Sequence, residues 1–500
     1  MKKYLILILL LFVTNMFTEE FVVIDDLTSV KLFEFISDNS TYSAPSETGI
    51  VIRDSIVIND SLTAPYAYYI PSSYDVSKRT PLFVYLHGGV GTPDFHSMDD
   101  LETDNDFIAF AEENNMLLLL PMANLQCMWW DVTGAGNILN LVKKMKQKFN
   151  VDDNRVFISG ISDGGSGSFH LAMTRPDVFA SFYPIIGMMS VGNLGNGMQT
   201  YPGNMANRYV AAVNNDDDGL YPSAKMRKTI DMAQKAGAEL YYKEFWGYGH
   251  KVPYLKEYLN SILLQMQSHP RDPFQPILYW EVSEMEFNRC DWLEITKIDT
   301  LLPKKEWQEV NNVKLSVDRM MFGFNNDREY EGEGTLITRV VENSAAFDAG
   351  LLENDLIIKM DGKPAANIDS LITWRDAKKR GDEFTLTVIR EDEKIQLNGR
   401  FPETTEYDAF NLTKPSGAVK ARYYGNHFEI ETSRVSQIAI YIHPEMINYD
   451  IPVDININGQ QVFNEMIEID SEFMQKNFKE NQDRKALWTN RIVLNLPEKY

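Results

Sequence analysis

Three short stretches of this chain place reactive residues where they can act together. The first is Gly160-Ile161-Ser162-Asp163-Gly164, directly after the apolar run Val156–Ser159. Glycine two residues away on either side suits a serine to a sharp strand-to-helix turn that lifts its hydroxyl clear of the backbone. The second is His87-Gly88-Gly89, after the apolar run Pro81–Leu86. Glycines there leave backbone amides open, and the amide of Gly89, with Gly88 as its close alternative, and that of Asp163 are the expected holders of an oxyanion. The third joins His250, in Gly247-Tyr248-Gly249-His250, to the acidic loop Asn214-Asn215-Asp216-Asp217-Asp218-Gly219-Leu220-Tyr221-Pro222. A serine hydroxyl is a weak nucleophile until a histidine takes its proton and a carboxylate orients that histidine. Asp216, Asp217 and Asp218 compete for the third role. Asn214, Asp216, Asp218 and Gly219 also match the first half of a calcium loop, but Lys225 stands where that loop needs glutamate, so no metal is expected. Of the seven histidines, His170 reads as packed inside a helix, His87 as structural and His96 as a candidate wall of the substrate cleft.

These residues need a scaffold, and the hydrophobic pattern supplies one. After β-like runs at Ile50–Ile52, Ser55–Ile58 and Tyr66–Ile70, strands are expected at Pro81–Leu86, Met116–Pro121, Val156–Ser159, Ala180–Ile186, Tyr209–Val213 and Leu240–Phe245. Helices are expected at Phe107–Asn114, Ile138–Phe149, Gly165–Thr174, Ala224–Ala236 (capped by Ser223) and Tyr254–Met266. Such alternation implies a parallel sheet covered on both faces. It stops near His269. Beyond it, runs such as His427–Thr432, Gln437–Ile442 and Val453–Ile457 read as β, the last ending in the hairpin signal Asn458-Gly459.

At 500 residues the chain is long enough for several domains. Its formal net charge of -23 repels polyphosphate, which excludes nucleic acid as a partner. Two distant cysteines, Cys127 and Cys290, offer no metal or redox spacing. Lys2 and Lys3 before the apolar run Leu5–Val13 have the form of a cleaved signal peptide, expected over 1–18, and imply a secreted or periplasmic protein.

Residues 46–267 resemble a secreted esterase group that includes feruloyl esterases, polyhydroxybutyrate depolymerases and phospholipase/carboxylesterases. The resemblance is carried by Tyr69-Ile70-Pro71, the Pro81–Gly89 stretch, Asp152–Arg155, Gly160–Gly165 and Gly249-His250. It implies an α/β-hydrolase fold and a triad of Ser162, Asp218 and His250 that needs no cofactor. Asp218 is favoured because this group commonly carries Asp-x-x-(Val/Tyr)-Pro at that loop. Trp129-Trp130 also resembles the group, as a cleft wall or as ordinary packing. Residues 307–402 resemble a PDZ domain, through Gly334–Val341, Asn343–Ala346, Ala349-Gly350-Leu351, Asp355–Gly362 and Gly381-Asp382. There Met321-Phe322-Gly323-Phe324 looks like the loop that grips a peptide C-terminus, with Phe322, Gly323 and Phe324 as binding residues. Residues 270–306 and 405–500 then read as one β-sandwich interrupted by the PDZ unit. The function this implies is hydrolysis of a small-molecule or polymeric ester. The alternatives are a serine peptidase of the prolyl-oligopeptidase kind and a non-catalytic peptide-binding scaffold.

Overall fold

A computed structural model describes residues 28–38, 41–99, 106–196, 198–316, 320–327, 330–341, 344–403 and 406–496. The expected signal peptide, 1–18, lies outside them. The chain runs through α1 (Ser29–Asp38), β1 (Ile50–Asn59), β2 (Leu62–Ile70), β3 (Thr80–Leu86), α2 (Asp106–Glu113), β4 (Leu117–Pro121) and α3 (Val132–Lys148). It continues through β5 (Val151–Ile161), α4 (Asp163–Thr174), β6 (Ser181–Ile185), α5 (Val191–Asn196) and β7 (Tyr209–Asn215). Then follow α6 (Ser223–Lys235), β8 (Leu240–Phe245) and α7 (Leu255–Ser268). The strands form one eight-stranded sheet in the order β1-β2-β4-β3-β5-β6-β7-β8. Strand β2 is antiparallel to both its neighbours, and the pairings from β4 to β8 are parallel. That order, with helices in the crossovers, is the α/β-hydrolase fold.

Side-chain alternation divides the sheet's apolar residues between two cores. Leu82, Val84 and Leu86 of β3 face the core shared with α3, α4 and α6, whereas Phe83 and Tyr85 face the core shared with α2 and α7. Ser223 does not cap α6. Pro222 holds the cap position, and the Ser223 hydroxyl instead donates to Glu244 at 3.0 Å. Helix α1 lies in a region where the sequence pattern is weak; its Ile36 packs with Met474 and Leu487 from near the other end of the chain.

The second half is β-rich. Strands β9 (Ile277–Val282), β10 (Arg289–Cys290) and β11 (Leu293–Ile298) precede β12 (Lys314–Ser316). Residues 320–403 hold β13 (Phe324–Asn326), β14 (Thr335–Val340), α8 (Ala345–Asp348), β15 (Leu356–Met360), β16 (Lys363–Pro364), α9 (Ile368–Asp376), β17 (Glu383–Arg390) and β18 (Glu393–Arg400). After β19 (Glu406–Asp408) come β20 (Gly417–Tyr424), β21 (His427–Ser433), β22 (Val435–Ile442), β23 (Val453–Ile457), β24 (Gln460–Glu465), α10 (Ser471–Asn481) and β25 (Asn490–Asn495). Two sheets, β10-β11-β22-β25 and β24-β23-β21-β20-β9, enclose a core that includes Trp280, Trp292, Phe428, Ile440 and Trp488. Strands from before and after the insertion therefore share one sandwich. Asn458 and Gly459, both at positive φ (52° and 80°), turn β23 into β24 as the dipeptide implied.

The seam between hydrolase sheet and sandwich is buried and polar. The side-chain amide of Asn204 pairs both ways with the backbone of Glu281, at 2.9 Å each. Asn207 does the same with Tyr279, at 2.8 and 3.3 Å. These amides cover the outer edge of β9, which is the last strand of its sheet. Deeper in, Asp483 accepts from Arg271 at 2.8 and 2.9 Å and from Lys146 at 2.9 Å. Lys146 also meets Asp153 at 3.0 Å, and Asp153 meets Arg484 at 3.0 Å. Burial alone would raise the Asp483 pKa, but the Arg271 and Lys146 charges outweigh it and hold it well below the carboxylate range.

The inserted unit is mounted on this frame by a two-stranded ribbon. Strand β12 pairs antiparallel with β19, Ser316 lying opposite Glu406. Leu315, Ala409 and Phe410 are buried in the hydrolase core. Residues 313–316, within the span expected for the PDZ unit, thus pack on the hydrolase.

Two predictions follow from these contacts. Replacing 317–405 by Asn-Gly should turn the ribbon into a hairpin and leave a folded protein. Joining residue 307 to 402 deletes Leu315, at roughly 1.5–3 kcal/mol for that side chain alone, and should lower the unfolding midpoint. Equal midpoints for the two deletions in chemical denaturation would contradict this. Asp483→Asn should cost about 3–5 kcal/mol, because it leaves Lys146 and Arg271 short of a buried counter-charge. Asp483 is depressed when folded, so its contribution is present above about pH 3.9 and is lost as pH falls below it. The difference between wild type and variant in urea titrations should narrow accordingly.

Candidate active site

Ser162 sits between β5 and α4 at φ 59°, ψ −117°, a backbone conformation rare for a residue with a side chain. Its neighbours explain how the turn fits. A Cβ at Gly160 would lie 2.3 Å from the carbonyl carbon of Gly164, and one at Gly164 would lie 1.9 Å from the Leu86 oxygen. The strand, the turn and the helix approach through bare backbone, so both positions need glycine.

His250 Nε2 lies 2.7 Å from Ser162 Oγ, and His250 Nδ1 lies 2.8 Å from Asp218 Oδ2. Asp218 is buried, and its Oδ1 accepts from the amides of Leu220 and Tyr221 at 2.8 and 3.0 Å. Of the three competing aspartates, it is Asp218 that reaches the histidine. The other two brace the histidine loop: Asp216 accepts from the Gly247 amide at 2.9 Å, and Asp217 from the Gly249 amide at 2.7 Å. Buried Asn215 adds donations to the Gly249 and Lys251 carbonyls at 2.7 and 2.8 Å, and its own oxygen accepts from the Tyr254 hydroxyl at 2.8 Å.

The His-Gly-Gly loop closes over the serine. A Cβ on Gly88 would stand 3.1 Å from Ser162 Cβ. Gly89 has φ 72°, and its carbonyl is held by His96 Nε2 at 2.7 Å, so His96 braces the loop. His87 is buried; its Nε2 accepts from the Ala123 amide at 3.1 Å and its Nδ1 donates to the Gly88 carbonyl at 2.8 Å. Burial pushes its pKa down to about 4, which keeps the ring neutral. Neither the Gly89 nor the Asp163 amide has a protein acceptor among the described residues. The next amide, Val90, is spent on the Asp163 carboxylate at 3.0 Å, which also accepts from the Tyr221 hydroxyl at 3.3 Å. That carboxylate ties the loops after β3 and β7 to the elbow, and the Tyr221 ring stands edge-on to His250.

The sequence reading missed Asn215, Tyr254, Tyr221 and the side-chain role of Asp163. Only their positions next to motif residues could have flagged them. Trp129 is fully buried, and its indole N–H donates to the His87 carbonyl at 2.9 Å; it packs behind the loop. His170 is buried with both ring nitrogens unpartnered among the described residues, and burial lowers its pKa to about 3. In the PDZ unit, Gly323 has φ 88°, and the carbonyls of Phe322 and Gly323 accept from the Ala346 and Val341 amides at 2.8 Å each. The Phe322 and Gly323 amides have no acceptor among the described residues. Phe324 begins β13, the end strand of its sheet.

Comparison with known proteins gives one family match and several partial relatives. The PDZ domain family matches residues 313–399. A bifunctional acetylxylan esterase/xylanase, XynS20E, of Neocallimastix patriciarum is 25% identical over 122 residues, 24% of this chain and 17% of the relative. A probable acetylxylan esterase A of Aspergillus clavatus is 26% identical over 124 residues, 23% of this chain and 38% of the relative. The chain thus spans well under half the length of these relatives. Among solved structures, a thermostable esterase shares 16% identity at a TM-score of 0.37, over 44% of this chain and 63% of that one. A ferulic acid esterase shares 16% identity at a TM-score of 0.35, over 44% of this chain and 98% of that one.

The geometry ranks the aspartates by experiment. Asp218→Asn should cut turnover of p-nitrophenyl acetate by about 10⁴, because an amide favours the wrong histidine tautomer. Asp216→Asn and Asp217→Asn should stay within about tenfold of wild type, since an amide oxygen still accepts from the Gly247 and Gly249 N–H groups. A severe Asp216→Asn defect with an active Asp218→Asn would reverse the ranking.

Proposed function

We propose that this chain is an exported serine ester hydrolase that cleaves acyl esters, acylated glycans among them, through an acyl-enzyme. The observation that carries the reading is the Ser162–His250–Asp218 chain, 2.7 and 2.8 Å, built on a strained elbow beside two unpartnered amides. His250 Nε2 takes the Ser162 proton as Oγ attacks the acyl carbon. The Asp218 carboxylate holds Nδ1–H and stabilises the imidazolium. The Gly89 and Asp163 amides receive the oxyanion, a contribution typically worth about 10²–10³ in turnover per donor. His250 then protonates the departing alkoxide. Water, deprotonated by the same nitrogen, releases the acid and restores Ser162. Similarity to acetylxylan esterases supports an acetylated polysaccharide as substrate. Export rests on the charged and apolar pattern of residues 1–18. The PDZ unit takes a peptide C-terminus as a strand added to the open edge of β13, its carboxylate at the Phe322–Phe324 loop.

A fluorophosphonate probe should label wild type and not Ser162→Ala, and wild type should release acetate from acetylated xylan. Full labelling of the variant would overturn the assignment of the nucleophile. Labelling without acetate release from any acylated glycan would overturn the substrate class alone.

A further inference from the structure

A cavity of about 330 Å³ opens between the hydrolase sheet and the sandwich, lined by residues of α3, the end of α4 and the loop before β25. Helix α4 starts beside Ser162 and ends at Thr174, and Arg175 lines the cavity. At 1.5 Å per residue, twelve residues put this cavity roughly 18 Å from the elbow. It is a separate place on the molecule.

Not every donor in its lining has an acceptor. Each carboxylate in the lining except Glu480 is already engaged. Asp177 takes a bidentate pair from Arg175 at 2.9 and 3.0 Å, Asp291 meets Arg208 at 2.6 Å, and Asp483 is held by Arg271 and Lys146. Two cations remain. The Arg289 guanidinium lies flat, 3.8 Å from the centre of the Tyr441 ring and 5.6 Å from that of Trp488, with Nε donating to the Asp291 carbonyl at 2.9 Å. Its Nη1 and Nη2 have no acceptor among the described residues. Lys143, from α3, makes no ion pair among them either. Glu480 stands exposed at the rim and is likewise unpaired there.

An arginine fixed by stacking, with its fork edge free, is pre-organised for a planar or tetrahedral oxyanion. The Asp177 and Glu294 carboxylates feel its charge, but neither takes a hydrogen bond from its fork, and half-buried donors left without an acceptor are costly. We propose that this cavity is a binding site for a small oxyanion, a carboxylate or a phosphate, gripped by the Arg289 fork and by Lys143. A ligand there touches both the hydrolase and the sandwich and stabilises their joined state by mass action.

Isothermal titration of the full chain with sodium phosphate and with sodium glucuronate, at constant ionic strength, tests this. One saturable site is expected for at least one anion, weakened about tenfold or more in Arg289→Gln. Binding of only one of the two assigns the source. Lys143→Gln, on the less buried side of α3, should also weaken binding with no change in thermal midpoint without ligand, which guards against a folding defect in the arginine variant. Ser162→Ala should bind as wild type does, so loss of the esterase reading leaves this result standing. No saturable heat up to about 10 mM of either anion, or equal binding by wild type and both variants, would overturn the proposal.

Discussion

The close approach of β5, α4 and β3 through bare backbone is the constraint on which the site depends. Gly160 and Gly164 let the helix start almost on top of the strand, and the Gly164 Cα faces the Leu86 carbonyl. Any side chain there would push α4 outward and carry Ser162 with it. The positive φ at Ser162 is held by neighbours on every side: the Ile185 carbonyl accepts its amide at 3.0 Å, and Gly88 packs against its side chain. Strain of this size, of order 1–3 kcal/mol, persists only where the surroundings over-determine it. Two parallel strand neighbours and a fully buried helix provide that here.

The histidine is held by a different device. His250 rides on a loop rather than in a strand, so its position comes from hydrogen bonds. Asp216, Asp217 and Asn215 grip the loop's backbone from β7 and the turn beyond it, and Asp218 grips the ring. Of four consecutive polar residues, three thus hold the backbone of the histidine loop and the fourth holds the imidazole, with its other oxygen on the Leu220 and Tyr221 amides. The run of aspartates that imitates half of a calcium loop is explained by this division: each carboxylate has a named N–H to accept from. The Asp163 carboxylate completes the frame by joining the glycine loop to Tyr221.

The elbow, the glycine loop and the histidine were legible in the sequence because glycine spacing is a local signal and the order of strands and helices is periodic. The order of the strands across the sheet was not legible, since periodicity orders elements along the chain and says nothing of β4 lying outside β3. The seam was not legible. Lys146 and Asp483 are 337 positions apart, and before folding each reads as one more surface charge. Nor could the pattern show that Leu315 and Phe410 leave the β-rich half to enter the hydrolase core, since an apolar residue does not name its partner. The Ser223 cap failed for a related reason: Glu244, distant in sequence, competes for the hydroxyl that a local rule assigns to the helix end. Helix α1 went unseen because its apolar face is matched by Met474 and Leu487 rather than by anything nearby.

The ribbon changes what an inserted domain can do. A unit on flexible linkers samples many positions, and its effect on a second site is that of raised local concentration. Here both chain crossings are paired strands rooted in the hydrolase core, and Arg339 of β14 donates to the Gly195 carbonyl of α5, the helix that follows β6. Strand β14 is the neighbour of β13. The open edge of β13 is therefore one strand removed from a residue that touches the hydrolase. Two paired strands and a side-chain contact thus join the inserted unit to the hydrolase, contacts that a bare tether would not supply.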